Sequence, residues 1–184
     1  MSQLRSFHKE TLFLIDGSGF IFRAYHALPP LTRKDGTPIG AVLGFANMLV
    51  KVLTEMDAQY VAVVFDAGRH TFRNDIYQDY KANRSETPED LIPQFPLIRD
   101  VCRAFDVPLV EKEGFEADDI LATYAVQEQG REIVILSSDK DLMQLVSDRV
   151  KLYDPIKNKV IDRAGVLEKF GVPPEKVIDV QALI

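Results

Sequence analysis

Thr11-Leu12-Phe13-Leu14-Ile15-Asp16-Gly17-Ser18-Gly19 decides the architecture: four consecutive apolar residues end in an acid, and small residues follow at once. A strand with one solvated face would alternate polar and apolar positions. A run without polar interruption suits a parallel strand covered on both faces. The same signature recurs at Tyr60-Val-Ala-Val-Val-Phe65 and at Ile133-Val-Ile-Leu136, with further strand-like runs at 107–110 and 150–153. Strands buried on both faces need helices between them, and the sequence supplies them. Val42, Phe45, Ala46, Leu49, Val52, Leu53 and Met56 recur at three- and four-residue steps, one apolar stripe on a helix. Ile120, Leu121, Tyr124 and Ala125 make a second stripe, closed by Gly130. Residues 88–105 are expected to be helical with Thr87 as the cap, Pro93 and Pro96 crowding the entry. Beyond Tyr153 the pattern predicts a polar turn from Asp154 to Lys159, a short extended piece at Val160-Ile161, and a helix over 163–170 closed by Gly171. Pro173-Pro174-Glu175 then opens a last helix that runs on to Ile184. Alternating strands and helices predict an α/β fold, a mostly parallel central sheet flanked by helices.

The 184 residues are 46% hydrophobic and 27% charged, which excludes a disordered chain. At this length folding hides roughly 70% of the unfolded surface, enough for one core without metal or disulfide staples. The single cysteine, Cys102, excludes an intramolecular disulfide and suits a packed thiol in a reducing, cytoplasmic compartment. No apolar run approaches the roughly 20 residues of a membrane span, so secretion and membrane insertion are not expected. A net charge of −6 argues against holding nucleic acid by global electrostatics. Local clusters must choose the partner.

In a parallel α/β sheet ligands bind beyond the carboxyl ends of the strands. Asp16, Asp66 and the pair Asp139 and Asp141 each follow a strand run, while Glu116, Asp118 and Asp119 open the helix carrying Ile120. Taken singly, an Asp after a strand caps the next helix, and first-turn acids complement the helix dipole. Taken together, seven carboxylates on one edge are a liability, because two of them about 5 Å apart repel by roughly 3 kcal/mol at an effective dielectric near 20. Hard divalent cations such as Mg²⁺ or Mn²⁺ relieve that repulsion and keep positions open for phosphate oxygens. Zinc is disfavoured, since one cysteine and the scattered His8, His26 and His70 provide no zinc-binding spacing. Two ions about 4 Å apart would serve the attacking and leaving oxygens of a phosphodiester displacement.

A basic and aromatic segment faces this edge: Arg69, His70, Phe72, Arg73, Tyr77, Tyr80, Lys81 and Arg84. If it is helical, Arg73, Tyr77, Tyr80, Lys81 and Arg84 share one face. Tyrosines stacking on bases and cations holding phosphates would suit single-stranded nucleic acid. The alternative is a solvated amphipathic helix whose tyrosines pack and whose bases snorkel. Arg23 and Tyr25, in the aromatic stretch after Asp16, are the expected exposed residues there.

Ile15-Asp16-Gly17, Val64-Phe65-Asp66-Ala67, Tyr80-Lys81-Ala82-Asn83-Arg84, Gly114-Phe115-Glu116-Ala117-Asp118-Asp119 and Ser137-Ser138-Asp139-Lys140-Asp141-Leu142, in this order, closely resemble the 5′ nuclease domain of bacterial DNA polymerase I. The resemblance implies a PIN-like fold over 11–184 after an N-terminal extension of residues 1–10, with a helical gateway at about 69–96. It implies a flap endonuclease and 5′–3′ exonuclease acting on DNA with a 5′ flap or 5′ end, RNA-primed ends included, in primer removal and repair. It places Asp16, Asp66, Glu116, Asp118 and Asp119 at a first Mg²⁺ or Mn²⁺ site and Asp139 and Asp141 at a second. Asp16, Asp118, Lys81 and Arg84 are the catalytic residues it implies, and Tyr25, Arg73, Tyr77, Lys81 and Arg84 are expected to contact DNA. The family continues into a Gly-Asp-x-x-Asp-Asn stretch, a helix-hairpin-helix element and a polymerase region. Here the second metal site is therefore expected to be incomplete and the chain a monomer. The competing expectation is a non-catalytic module that binds metal and DNA without turnover. A phosphatase with Asp16 as nucleophile is weakened by Ser18, where such enzymes commonly carry a second Asp.

Overall fold

β1 (Leu12–Asp16) is the middle of the architecture: Leu12 to Ile15 have a strand on both sides, and Asp16 extends past the end of one of them. The computed structural model describes residues 7–83, 86–155 and 157–183. Six strands form one sheet: β1, β2 (Tyr60–Val64), β3 (Leu109–Val110), β4 (Ile133–Leu136), β5 (Val150–Asp154) and β6 (Lys159–Ile161), in the spatial order β3-β2-β1-β4-β5-β6. The first five are parallel, and β6 returns antiparallel along β5. The α/β fold with a mostly parallel sheet is as the sequence predicts. Because β2 and β3 lie on one side of β1 and β4 to β6 on the other, the order reverses between β1 and β4, the position where such sheets open a crevice.

Alternation along β1 sends its side chains into two cores. Phe13 and Ile15 pack with Phe45, Leu49, Val63, Ile98 and Cys102 beneath α1 (Gly17–Ala27), α2 (Gly40–Glu55) and α4 (Gln94–Ala104). Leu14 packs on the other face with Leu121, Ile135, Leu152 and Val166 beneath α5 (Ala117–Gln127) and α6 (Arg163–Phe170). A Cβ on Gly17 would stand 2.6 Å from Phe65 Cε1 and 2.7 Å from Val63 Cγ1, so α1 can start directly at the end of β1 only with glycine there.

Several local expectations shift. The helix expected over 88–105 begins at Gln94, after turns; Pro93 and Pro96 favour a late start because proline fits the first turn of a helix and not its interior. Thr87 does not cap it but accepts a hydrogen bond from Arg69 Nη2 at 2.8 Å. Buried Gln94 takes a capping role for α2 instead, its Oε1 accepting from the Ala41 and Val42 N–H groups at 2.8 and 3.3 Å. The strand at 107–110 shortens to Leu109–Val110. After the 3₁₀ turn Pro174–Lys176, α7 (Val177–Gln181) ends at Gln181 instead of running on to Ile184, which lies outside the described residues.

The largest change concerns residues 69–96. The expected helical gateway contains α3 (Phe72–Ile76); among the described residues turns follow at 78–83 and 89–93, the latter leading into α4. Tyr77 is extended and Lys81 has φ +59°, a left-handed conformation no continuous helix permits. Arg73, Tyr77 and Lys81 therefore do not share a helix face.

Candidate active site

The strand ends bring the acids to the crevice. Asp16, the last residue of β1, is 7% exposed and caps α1, with Oδ1 accepting the Gly19 N–H at 2.8 Å. Its Oδ2 accepts from Ser137 Oγ at 2.8 Å. Ser137 is itself buried just after β4 and accepts the Asp139 N–H at 3.0 Å. Asp66, just beyond β2, accepts the Ala117 N–H at 2.7 Å, while its own N–H donates to Ser18 Oγ at 3.0 Å. A capping role and a place at the crevice thus belong to the same side chains.

Asp118, in the first turn of α5, completes the inner group. No hydrogen bond from a described residue reaches its carboxylate. Burial, and after it the charges of Asp16, Asp139 and Asp66, push its pKa up to about 7, against a smaller opposing pull from Lys81. Burial likewise raises Asp16, against hydrogen bonds from Gly19 and Ser137 and with added repulsion from Asp66 and Asp139. These four acids feel one another electrostatically, yet among the described residues no three His, Cys, Asp or Glu side chains close around a single point. The donor set is carboxylate oxygen with serine hydroxyls behind it, a chemistry that fits a hard divalent cation.

The remaining acids are held by protein groups. Asp119 receives both Nη atoms of Arg73 at 2.7 Å, and Arg73 holds its carboxyl below the usual carboxylate range. Glu116 accepts Lys81 Nζ at 2.6 Å and Tyr80 Oη at 3.3 Å, with Arg73 Nη1 at 3.6 Å. Glu116 and Asp119 also form a reciprocal capping box on α5, the Glu116 N–H reaching Asp119 Oδ2 at 3.0 Å. Asp141 is exposed, its N–H donating to Asp139 Oδ1 at 2.8 Å and its own Oδ1 accepting Gln181 Nε2 at 2.5 Å.

Of the basic and aromatic residues, Tyr77 is 61% exposed and Tyr25 donates its hydroxyl to Asp90 Oδ1 at 2.7 Å. Arg23 and Tyr25 are both half-buried where exposure was expected: Tyr25 packs against the core, while Arg23 Nη2 donates to Ser138 Oγ and its Nη1 is buried without a partner among the described residues. Arg84 lies outside the described residues. The sequence reading missed Ser137, Ser18 and Gln94. Ser137 directly follows β4, which marks a position and not a partner; Ser18, inside α1, and Gln94 carried no local signal.

The sequence and fold are shared with known proteins. The model of the 5′-3′ exonuclease, N-terminal resolvase-like domain, matches residues 11–171, and the chain belongs to that family. It is 60% identical to DNA polymerase I of Rhizobium leguminosarum over 94% of this chain and 18% of the polymerase. It is 41% identical to the 5′-3′ exonuclease of Aquifex aeolicus over 95% of this chain and 61% of the exonuclease. The chain thus spans less than a fifth of the first relative and about three fifths of the second. T5 5′-exonuclease with bound divalent zinc has the same fold, at a TM-score of 0.72 and 23% identity over 94% of this chain and 65% of that one. So does the flap endonuclease of bacteriophage T5, solved with DNA and metal ions, at 0.70 and 22% over the same shares.

Proposed function

We propose that this chain carries the catalytic face of a divalent-metal-dependent 5′ nuclease that hydrolyses phosphodiester bonds at 5′ flaps and ends of DNA, with Mg²⁺ or Mn²⁺ as the ion. The observation that carries the reading is the gathering of acids at the carboxyl edge of a parallel sheet: Asp118, to which no described residue donates a hydrogen bond, stands with Asp16, Asp139 and Asp66, and burial with their charges pushes it up to about 7. Such crowding stores repulsion that a bound cation releases. A divalent ion there supplies Lewis-acid stabilisation of charge on a phosphodiester. Asp16, Asp66, Asp118 and Asp139 would hold it, with Asp141 and Glu116 within the same face. Lys81, poised on Glu116 and close enough for its charge to act on Asp118, is a cation that a phosphate could draw away. The 60% identity to a polymerase I supports a place beside a polymerase region of one polypeptide.

Incubating a 5′-flap duplex with the chain and Mg²⁺ or Mn²⁺ tests the proposal. Cleavage is expected with either ion, with a loss of at least about 100-fold in Asp16→Ala and in Asp118→Ala, on the scale of removing one preorganised charge-stabilising group. Flap binding with no product under excess protein would leave a binding module in place of a nuclease.

A further inference from the structure

Arg73 and Asp119 are matched too completely to be the DNA contact and the metal ligand their residue types suggested. Asp119 Oδ1 accepts Arg73 Nη2 at 2.7 Å; Oδ2 accepts Arg73 Nη1 at 2.7 Å and the Glu116 N–H at 3.0 Å. The guanidinium lies 4.6 Å over the Phe72 ring and 5.8 Å from the Tyr80 ring. Both ends of its fork and its flat face are therefore occupied, whereas a phosphate-binding arginine turns that fork to solvent. The pair closes a longer seam. Thr71 bridges Gly114, the Phe72 N–H donates to Gly114 O at 3.0 Å, and Phe72 packs on Phe115 at 5.7 Å.

Granting the nuclease reading above, we infer that Arg73 is a positioning residue: by clamping Asp119 it fixes the first turn of α5, so that Asp118 is aimed among Asp16, Asp66 and Asp139 and Glu116 is presented to Lys81. Asp119 serves this clamp and not a cation. The seam also ties the segment bearing Lys81 to the helix bearing Asp118, so cationic and anionic halves of the crevice keep one relative placement.

The test uses the 184-residue chain with Mn²⁺ alone as probe, followed by calorimetry. Arg73→Lys keeps the charge and loses the fork; Asp119→Asn keeps the shape and loses the charge. Each is expected to weaken Mn²⁺ binding by about 10-fold, the loss typical of removing an outer partner, and the double variant no further, because one clamp is lost in all three. Loss of Mn²⁺ binding by about 100-fold in Asp119→Asn alone, with Arg73→Lys native, would make Asp119 a ligand and overturn the inference. For DNA, a 5′-flap duplex in EDTA is titrated across salt. Arg73→Gln is expected to leave the log–log slope unchanged, whereas a slope smaller by about 0.7 to 0.9 would mark a phosphate contact and also overturn it. If the native chain bound no Mn²⁺, the nuclease reading would fail by itself. Thermal melts in EDTA would still decide the clamp, since its two single variants must then be coupled and not additive.

Discussion

Asp118 stands where stability and chemistry pull against each other. A carboxylate raised from 3.8 to about 7 is charged at pH 8 only against burial and three neighbouring acids. Asp118→Asn removes that charge at nearly constant volume. It should raise the stability of the metal-free protein at pH 8 by about 1–3 kcal/mol, inside the ceiling of about 4 kcal/mol that the shift allows, while abolishing flap cleavage and the response to Mg²⁺. Melting curves with and without Mg²⁺ check both halves; a destabilised variant would mean that Asp118 makes a native contact the geometry does not show. Cys102 shows the opposite case, a titratable group with no task. Burial pushes its thiol up to about 11, so it should react with a thiol reagent at pH 8 only as fast as the fold opens. The acids were legible in the sequence because a carboxylate right after an apolar run has few innocent reasons to recur. Ser137 and Gln94 were not: a hydroxyl or amide takes its meaning from the partner the fold brings, 121 residues away for Ser137 and Asp16, 53 for Gln94 and Ala41.

At the scale of elements, β1 and α1 meet with no linker, and two glycines make that junction possible in different ways. A Cβ on Gly17 meets Phe65 and Val63 in the core, whereas one on Gly19 meets Asp16 Oδ2 at 2.3 Å. Gly17→Ala should therefore overpack the sheet and lower stability by about 1–3 kcal/mol while the Mg²⁺ response survives. Gly19→Ala should displace the Asp16 carboxylate and lose metal response and cleavage out of proportion to its melting temperature. Equal effects in the two variants, read by melts and flap assays, would dissolve the distinction. The basic segment is where reading by period went astray. Spacings of four, three, one and three are compatible with a helix face, but α3 buries none of its residues, and a five-residue helix with no apolar stripe has little to reward its extension. Asn74 accepts the Thr71 N–H and donates to the Tyr80 carbonyl at 3.3 Å, folding the chain back, and Lys81 turns left-handed to reach Glu116. Tertiary partners, absent from any local window, decided that backbone. The strand runs were readable for the converse reason: burial on both faces imprints an unbroken apolar run whatever lies far along the chain.

For the whole molecule, the same crowding sets how stability depends on pH. Asp16 and Asp118 have raised folded-state values, while the unfolded chain ionises them near 3.8. Between about pH 4 and pH 7 the native protein holds protons that the unfolded chain has lost, so stability is greatest on the acid side of that window and declines as pH rises, levelling off above about 7. Asp119 works the other way. Held down by Arg73, it contributes above its ordinary value and is lost only as pH falls below about 4. The two trends leave the metal-free protein most stable near pH 4, with a melting temperature about 5 °C higher at pH 5 than at pH 8, at roughly 2–4 °C per kcal/mol for a chain of this size. Saturating Mg²⁺ binds the charged form and not the unfolded chain, adding about 2.7 kcal/mol at a hundredfold excess over Kd. Its effect should be large at pH 8 and small at pH 5, which flattens or inverts the profile, and Asp118→Asn should flatten it without metal. A profile rising from pH 5 to 8 in EDTA would show that these acids are not held together in the folded chain, and with it the basis for a cation at the crevice would be gone.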